Sequence, residues 1–300
     1  MLKTNICNIE FKNPVIAASG TFGYGREYSE MYDLSFLGGI STKGTTLLPR
    51  EGNSAPRIAE TPCGMLNSVG LQNPGADKFL ETELPFLKTF DTVIIANVAG
   101  STVADYAAIV EKLENSNIDM LEVNISCPNV KEGGVAFGTN PKVAAEVTKA
   151  VREKTKKPVI MKLSPNVTDI TEIAKACESE GADCISLINT LLGMRIDLKT
   201  RKPILYNNMG GFSGEAIFPV AVRMVYQVAN AVKLPVIGMG GINSGKAAIE
   251  MLMAGAVAVQ IGTAIITDPY APLRIIKEIE EYLTQNNLTL KEIVGSVKLN

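Results

Sequence analysis

The sequence predicts a single (β/α)8 barrel, an α/β fold, on three observations. Eight short apolar runs rich in β-branched residues recur along the 300 residues, and an amphipathic stretch follows each. No linker, charge block or low-complexity segment interrupts them, so one domain over residues 1–300 is expected. Eight parallel strands close a sheet without leaving an edge. A doubly wound open sheet is the alternative, but it needs a G-x-G-x-x-G turn directly after its first strand. Gly20-Thr21-Phe22-Gly23-Tyr24-Gly25 is glycine-rich with the wrong spacing and reads as a barrel loop.

In chain order the strand runs are Val15–Ala18, Gly38–Thr42, Thr92–Asn97, Met120–Ile125, Val159–Leu163, Cys184–Ile188, Pro235–Met239 and Ala258–Ile261. Helical patterns lie near Arg26–Asp33, Ala76–Thr89, Val103–Asn115, Pro141–Thr155, Asp169–Glu180, Ala216–Val232 and Gly245–Ala254, with a last one at Ala271–Gln285. Thr168 is placed to cap a helix start, and Gly181 and Gly255 stand where helices stop. Two connections exceed what a barrel needs, Lys43 to Asp91 and Asn189 to Glu215. Both follow strands, so both belong on the C-terminal face, where barrel enzymes keep their chemistry. The second, with Met194–Leu198 and Pro203–Tyr206 around a basic tip, reads as a small hairpin over that face.

Composition narrows the function. A formal net charge of −2 gives no basic surface for nucleic acid, and no run approaches the ~20 apolar residues of a membrane span. The N-terminal residues lack the apolar core of a signal peptide, so a cytoplasmic protein is expected. The five cysteines are never spaced as C-x-x-C, which suits reduced thiols and gives no zinc or iron–sulfur site. Cys177 and Cys184 sit in apolar surroundings and read as packing. The chain has no histidine, so acid–base chemistry falls on Cys, Lys, Asp, Glu or Tyr.

The strand ends carry the candidate site: Ser19-Gly20, Thr42-Lys43, Asn97, Asn124 with Cys127, Lys162, Asn189-Thr190, Gly240-Gly241 and Gly262-Thr263. Carboxamides offer paired donors and acceptors that suit a flat heterocycle, and no carboxylate pair suggests a hydrolase. The glycine turns after the seventh and eighth strands suit a phosphate group. Cys127 stands among polar residues where Pro128 stops the strand, and reads as the reactive group. The loop after it, with Gly133, Gly134 and Gly138, is suited to move over a ligand. Lys162 lies in an apolar strand, and the lumen is expected to hold no counter-charge unless a ligand brings one. An electron-rich cofactor ring is the preferred partner, ahead of a structural ion pair. Lys43 is placed to meet an anionic substrate group.

These motifs together resemble class 1 dihydroorotate dehydrogenases, across essentially the whole chain. The likeness rests on Asn13-Pro14-Val15, Ala18–Gly23, Thr42-Lys43-Gly44, Asn67–Gly75, Asn124–Asn129, Lys162–Asn166, Gly210–Gly214 and Gly238–Gly241. The segment Asn129–Thr139 is similar to the B-type, NAD-linked catalytic subunit. The resemblance implies a (β/α)8 flavoprotein that oxidises dihydroorotate to orotate in pyrimidine biosynthesis. It implies FMN held by Ser19, Lys43, Gly44, Asn97, Asn124, Lys162, Ile188, Gly214, Gly240, Gly241, Gly262 and Thr263. Substrate contacts are implied for Lys43, Asn67, Ser68, Val69, Gly70, Leu71, Asn124, Asn189 and Thr190. Cys127 is implied as the base that removes the C5 proton, and Lys162 as the cation that stabilises the reduced ring. B-type catalytic subunits form a homodimer that joins a second chain bearing FAD and a 2Fe–2S cluster, a heterotetramer passing electrons to NAD⁺. Three other readings stay open: a stand-alone A-type enzyme that uses fumarate, an FMN-dependent tRNA dihydrouridine synthase, and a non-catalytic phosphate-binding barrel.

Overall fold

The computed structural model describes residues 2–126 and 137–300. Fourteen strands are found among them. In chain order these are β1 (Thr4–Ile6), β2 (Ile9–Phe11), β3 (Val15–Ala17), β4 (Gly39–Ser41), β5 (Ile58–Thr61), β6 (Gly64–Asn67) and β7 (Val93–Val98). They continue with β8 (Met120–Asn124), β9 (Val159–Lys162), β10 (Cys184–Leu187), β11 (Leu191–Gly193), β12 (Gly210–Ser213), β13 (Val236–Met239) and β14 (Ala258–Ile261). Eight of them close the barrel in the order β3-β4-β7-β8-β9-β10-β13-β14, each neighbour parallel to the next. These are the eight runs expected from the sequence.

Alternation along each strand sorts its side chains between lumen and helices. Leu121, Val123, Val159 and Met161 face outward and pack with helical residues such as Ile109, Val147 and Ile173 in the main core. The helices start where local chemistry satisfies their free N–H groups. Thr102 and Asp105 form a reciprocal capping box ahead of Val103–Leu113, and Asn140 caps Pro141–Arg152. Ile170–Ser179 is capped by Asp169 rather than by Thr168, because the Asp169 carboxylate accepts the Thr171 N–H. Gly181 and Gly255 follow helix ends with φ of 91° and 118°, a region that favours glycine.

One helical pattern is broken. The stretch expected as a helix from Ala76 to Thr89 is Gly75–Lys78, then a π turn over Phe79–Glu83, then Leu84–Leu87. Pro85 has no N–H to give to residue 81, and its ring would crowd that carbonyl, so the turn before it widens.

Two features lay outside the sequence reading. Strands β1 and β2 form a hairpin whose turn residues Cys7 and Asn8 both have positive φ, 53° and 65°. Its fully buried Ile6 and Phe11 close one end of the barrel against Ile16, Ile95, Met120 and Ile160. The two long connections also merge into one antiparallel sheet, β11-β12-β6-β5. The hairpin expected within Met194–Tyr206 is reduced to one bridge, Ile196 to Pro203; the strands lie on either side of it and pair with the other connection.

Candidate active site

Residues two apart on a strand share a face, so the lumen is lined in layers. The lowest layer is apolar: Ile95, Met120, Ile160, Cys184, Ile237 and Ala258, under which the hairpin closes. Two residues further along, the lining turns polar. Ser41, Asn97, Glu122, Lys162, Ser186 and Gln260 are all buried there.

Glu122 is the centre of that layer. Its Oε2 accepts hydrogen bonds from Ser41 Oγ at 2.7 Å and Asn97 Nδ2 at 2.6 Å. Its Oε1 accepts from Ser186 Oγ at 2.8 Å and Gln260 Nε2 at 2.6 Å. Lys162 Nζ lies 3.7 Å from Oε2. Burial alone would raise this carboxyl, but Lys162 and the bonds from Ser41, Gln260 and Asn97 outweigh it and hold the group below its ordinary range. The expectation that the lumen offers Lys162 no counter-charge is therefore corrected: Glu122, on the neighbouring strand, supplies it. Two atoms of the layer are left over. Asn97 Oδ1 and Gln260 Oε1 are buried with no hydrogen-bond partner among the described residues.

Above this floor opens a cavity of about 880 Å³. Asn124, opposite Lys162 in register, accepts through Oδ1 from the Ser126 N–H at 3.1 Å and from Asn189 Nδ2 at 3.4 Å. Tyr106 Oη donates to the Asn124 carbonyl at 2.8 Å and Ser126 Oγ to the Lys162 carbonyl at 2.9 Å, so the strand ends are tied together. Ser19, Gly44, Ile188 and Thr190 complete the barrel's share of the wall. Lys43 is half-buried, and its ammonium donates to none of the described residues. Burial pushes it below its ordinary range, and the charges of Arg57 and Lys162 push the same way.

The four-stranded sheet forms the other wall with Asn67, Ser68, Val69, Gly70 and Leu71. Asn67 pairs with Gly211, and Asn53 ties the turn down through the Ser68 and Val69 carbonyls. The Ser68 hydroxyl on this wall is buried and without a partner among the described residues.

At the far end, Gly214, Gly240 and Gly241 have φ of 107°, 121° and 74°. A Cβ on Gly241 would come within 2.8 Å of the Gly214 carbonyl, so only glycine lets these loops meet. Gly262 instead faces space, the nearest atom to a Cβ there being Ala18 Cβ at 3.7 Å. The N–H groups of Gly240, Gly241, Gly262 and Thr263 donate to no oxygen of the described residues, an arrangement suited to an anion.

All the site residues read from the sequence converge on this cavity, with three exceptions. Thr42 is buried and does not line it, Asn97 lies beneath it in the polar layer, and Cys127 falls outside the described residues, as do those after it up to Ala136. Cys177 and Cys184 are buried packing as expected, and burial pushes the Cys177 thiol up to about 12. Glu122, Ser41, Ser186 and Gln260 were missed. A signal existed: each is the third residue of its strand, a polar group directly after two apolar or glycine residues. Among the described residues no cluster of His, Cys, Asp or Glu is arranged to hold a metal, and no helix is long and apolar enough to cross a membrane.

Fold and site together define a barrel enzyme with its cavity on the C-terminal face, built for a flat polar ligand with an anionic tail. A family model for dihydroorotate dehydrogenase matches residues 1–283. The chain belongs to the dihydroorotate dehydrogenase family. It is 59% identical over 297 residues to a protein of Alkaliphilus metalliredigens, covering 99% of this chain and 98% of that one. It is 56% identical over 300 residues to one of Geobacter metallireducens, covering 99% and 98%. It is 56% identical over 285 residues to one of Bacillus cereus, covering 95% and 92%. All three bear the name dihydroorotate dehydrogenase B (NAD(+)), catalytic subunit.

Proposed function

We propose that this chain oxidises dihydroorotate to orotate in pyrimidine biosynthesis, as the FMN-bearing catalytic subunit of an NAD⁺-linked enzyme. The observation that carries the reading is the floor of the cavity: buried Lys162 and Gln260 line it, and the amide oxygens of Gln260 and of Asn97 beneath it have no hydrogen-bond partner among the described residues. FMN fits this chemistry. Its ring brings an N–H and its ribityl chain brings hydroxyls as donors for orphaned acceptors, the ring gains electron density that a cation favours, and its phosphate suits the N–H groups of Gly240, Gly241, Gly262 and Thr263, which donate to no oxygen of the described residues. When bound, FMN supplies a two-electron acceptor for the substrate hydride.

The chain's residues do the rest. Ser19, Lys43, Gly44, Asn124, Ile188 and Gly214 line the cavity where the cofactor would sit, and Asn97 supports it from beneath. Asn67, Asn124 and Asn189 hold the amide edge of the pyrimidine, with Ser68, Val69, Gly70, Leu71 and Thr190 closing around it. An analogue that left these carboxamides unpaired would bind poorly. Lys43 meets the substrate carboxylate. Cys127 accepts the C5 proton while hydride leaves C6, and an ordinary thiol pKa of about 8.5 favours mildly alkaline pH for that step. Lys162 stabilises the negative charge that reduction leaves on the ring.

The relatives' name, catalytic subunit, supports a separate partner chain. We assign to that chain FAD and a 2Fe–2S cluster, in a heterotetramer built on a homodimer of this one in the cytoplasm. The test is anaerobic. The FMN-loaded chain is mixed with dihydroorotate, flavin absorbance is followed, and NAD⁺ or fumarate is then added. Bleaching that neither acceptor alone reverses efficiently is expected. Rapid reversal by fumarate would instead identify a self-sufficient A-type enzyme, and no bleaching would refute the substrate.

A further inference from the structure

We propose that Glu122 is a positioning residue for the cofactor. Its carboxylate anchors the Lys162 ammonium beneath the ring and turns the amide oxygens of Asn97 and Gln260 toward it. The inference rests on the FMN reading above.

The geometry carries it. Four donors from four strands converge on one fully buried carboxyl: Ser41, Asn97, Ser186 and Gln260, at 2.6–2.8 Å. The two amides present N–H groups to it, so it must accept from both, which an ionised carboxylate does on all its lone pairs. That fixes which way each amide faces. With Nδ2 of Asn97 and Nε2 of Gln260 committed to Glu122, their oxygens point elsewhere, and both are buried without partners among the described residues. A buried acceptor left unmet costs stability, so a residue that holds two of them in this state serves a ligand with N–H or O–H donors. Gln260 lines the cavity, and the same carboxylate lies 3.7 Å from Lys162 Nζ. One group therefore sets both the acceptors and the cation that a flavin ring meets.

The other titratable groups near this pair are few among the described residues. Lys43 feels the charge of Lys162, and Cys184 feels that of Glu122. Cys127, two residues beyond Ile125, lies outside the described segment.

The test is Glu122→Gln, nearly isosteric and uncharged. Its amide no longer forces Asn97 and Gln260 to present N–H, and Lys162 loses its counter-charge. A buried ammonium without one releases its proton more readily. Two readouts are taken on the chain with FMN: the FMN dissociation constant by fluorescence, and the pH dependence of the flavin reduction potential from pH 6 to 9. Loss of FMN affinity by about tenfold or more is expected. Where losing the carboxylate lets Lys162 give up its proton in the oxidised state, adding two electrons to the ring draws one additional proton from solvent onto Lys162 Nζ. The potential of the variant therefore falls more steeply with pH than that of the wild type. Lys162→Met in the same background abolishes the extra slope, and Glu122→Asp, which keeps the charge, shows the wild-type slope with weakened FMN binding.

Wild-type affinity and slope in Glu122→Gln would overturn the inference while leaving the FMN reading intact. If the Gln variant does not fold, Glu122→Asp decides: wild-type FMN affinity there, or an altered slope, overturns the inference. A wild-type chain that takes up no FMN would overturn the FMN reading and this inference with it.

Discussion

Asn67 and Gly211 pair across two segments 144 residues apart, and that pairing builds one wall of the site. Gly211 is glycine for a reason visible on its other side. A Cβ there would fall 2.0 Å from Thr190 Oγ1 and 2.7 Å from Thr190 Cβ. Gly211→Ala should therefore displace Thr190 from the substrate end of the cavity while leaving the barrel intact. The expected result is a KM for dihydroorotate raised about tenfold, the scale of one lost hydrogen bond, with little change in FMN content. Steady-state kinetics on the FMN-loaded variant measure this, and an unchanged KM would remove Thr190 from the substrate site.

The opposite end of the barrel should separate stability from catalysis. Phe11 is fully buried and plugs the lumen against Ile16, Ile95, Met120 and Ile160. Phe11→Ala leaves a cavity among neighbours of which three, Ile16, Ile95 and Ile160, are stiff and β-branched, and should cost about 3–5 kcal/mol. Denaturant unfolding reads that loss. KM should hold, because the polar layer around Glu122 stands between this plug and the ligand cavity. A shift in KM comparable to that of Gly211→Ala would show that the two ends are coupled.

The thiols give a third check. Cys63 is exposed at the cavity mouth, whereas Cys177 and Cys184 are buried and burial pushes both thiols up. In a Cys127→Ser background, iodoacetamide at pH 8 should label Cys63 and spare Cys177 and Cys184 until the chain is unfolded. The same Cys127→Ser variant should keep its FMN yet lose most turnover near neutral pH, a hydroxyl being a far poorer base. Wild-type turnover would end the assignment of Cys127.

What the sequence disclosed follows from what is local. Val93-Ile94-Ile95 and Val159-Ile160-Met161 announce buried strands by themselves, and Gly181 or Gly255 announces a stop by its backbone freedom. The cavity's rim was legible because lysines, asparagines and glycines at strand ends are conspicuous. Glu122 was not, because its meaning lies in Ser41, Ser186 and Gln260, residues 81, 64 and 138 positions away that meet only when the barrel closes. The four-stranded wall was half-seen for the same reason: the second connection read as a hairpin folded on itself, yet its β12 pairs with β6 of the first. The plug was hidden by three-residue strands and by a turn that puts Cys7, not glycine, at positive φ.

Lys43 carries a pH prediction whose sign is fixed by its burial. The unfolded chain keeps this proton up to its ordinary value of 10.5, while the folded chain releases it earlier, because burial and the charges of Arg57 and Lys162 oppose the ammonium. Between those two points the unfolded state binds more protons, so this lysine makes the ligand-free protein more stable as pH rises through the window. Substrate reverses the preference, since a carboxylate placed beside Lys43 favours its charged form. Affinity for orotate should therefore fall as pH climbs through the lowered pKa of Lys43, below 10.5. Binding in that range should take up protons, which calorimetry in two buffers of different ionisation enthalpy detects. Lys43→Met should weaken orotate binding by about ten- to a hundredfold at neutral pH and flatten the alkaline limb. An alkaline limb that survives in Lys43→Met would place the titrating group elsewhere in the cavity.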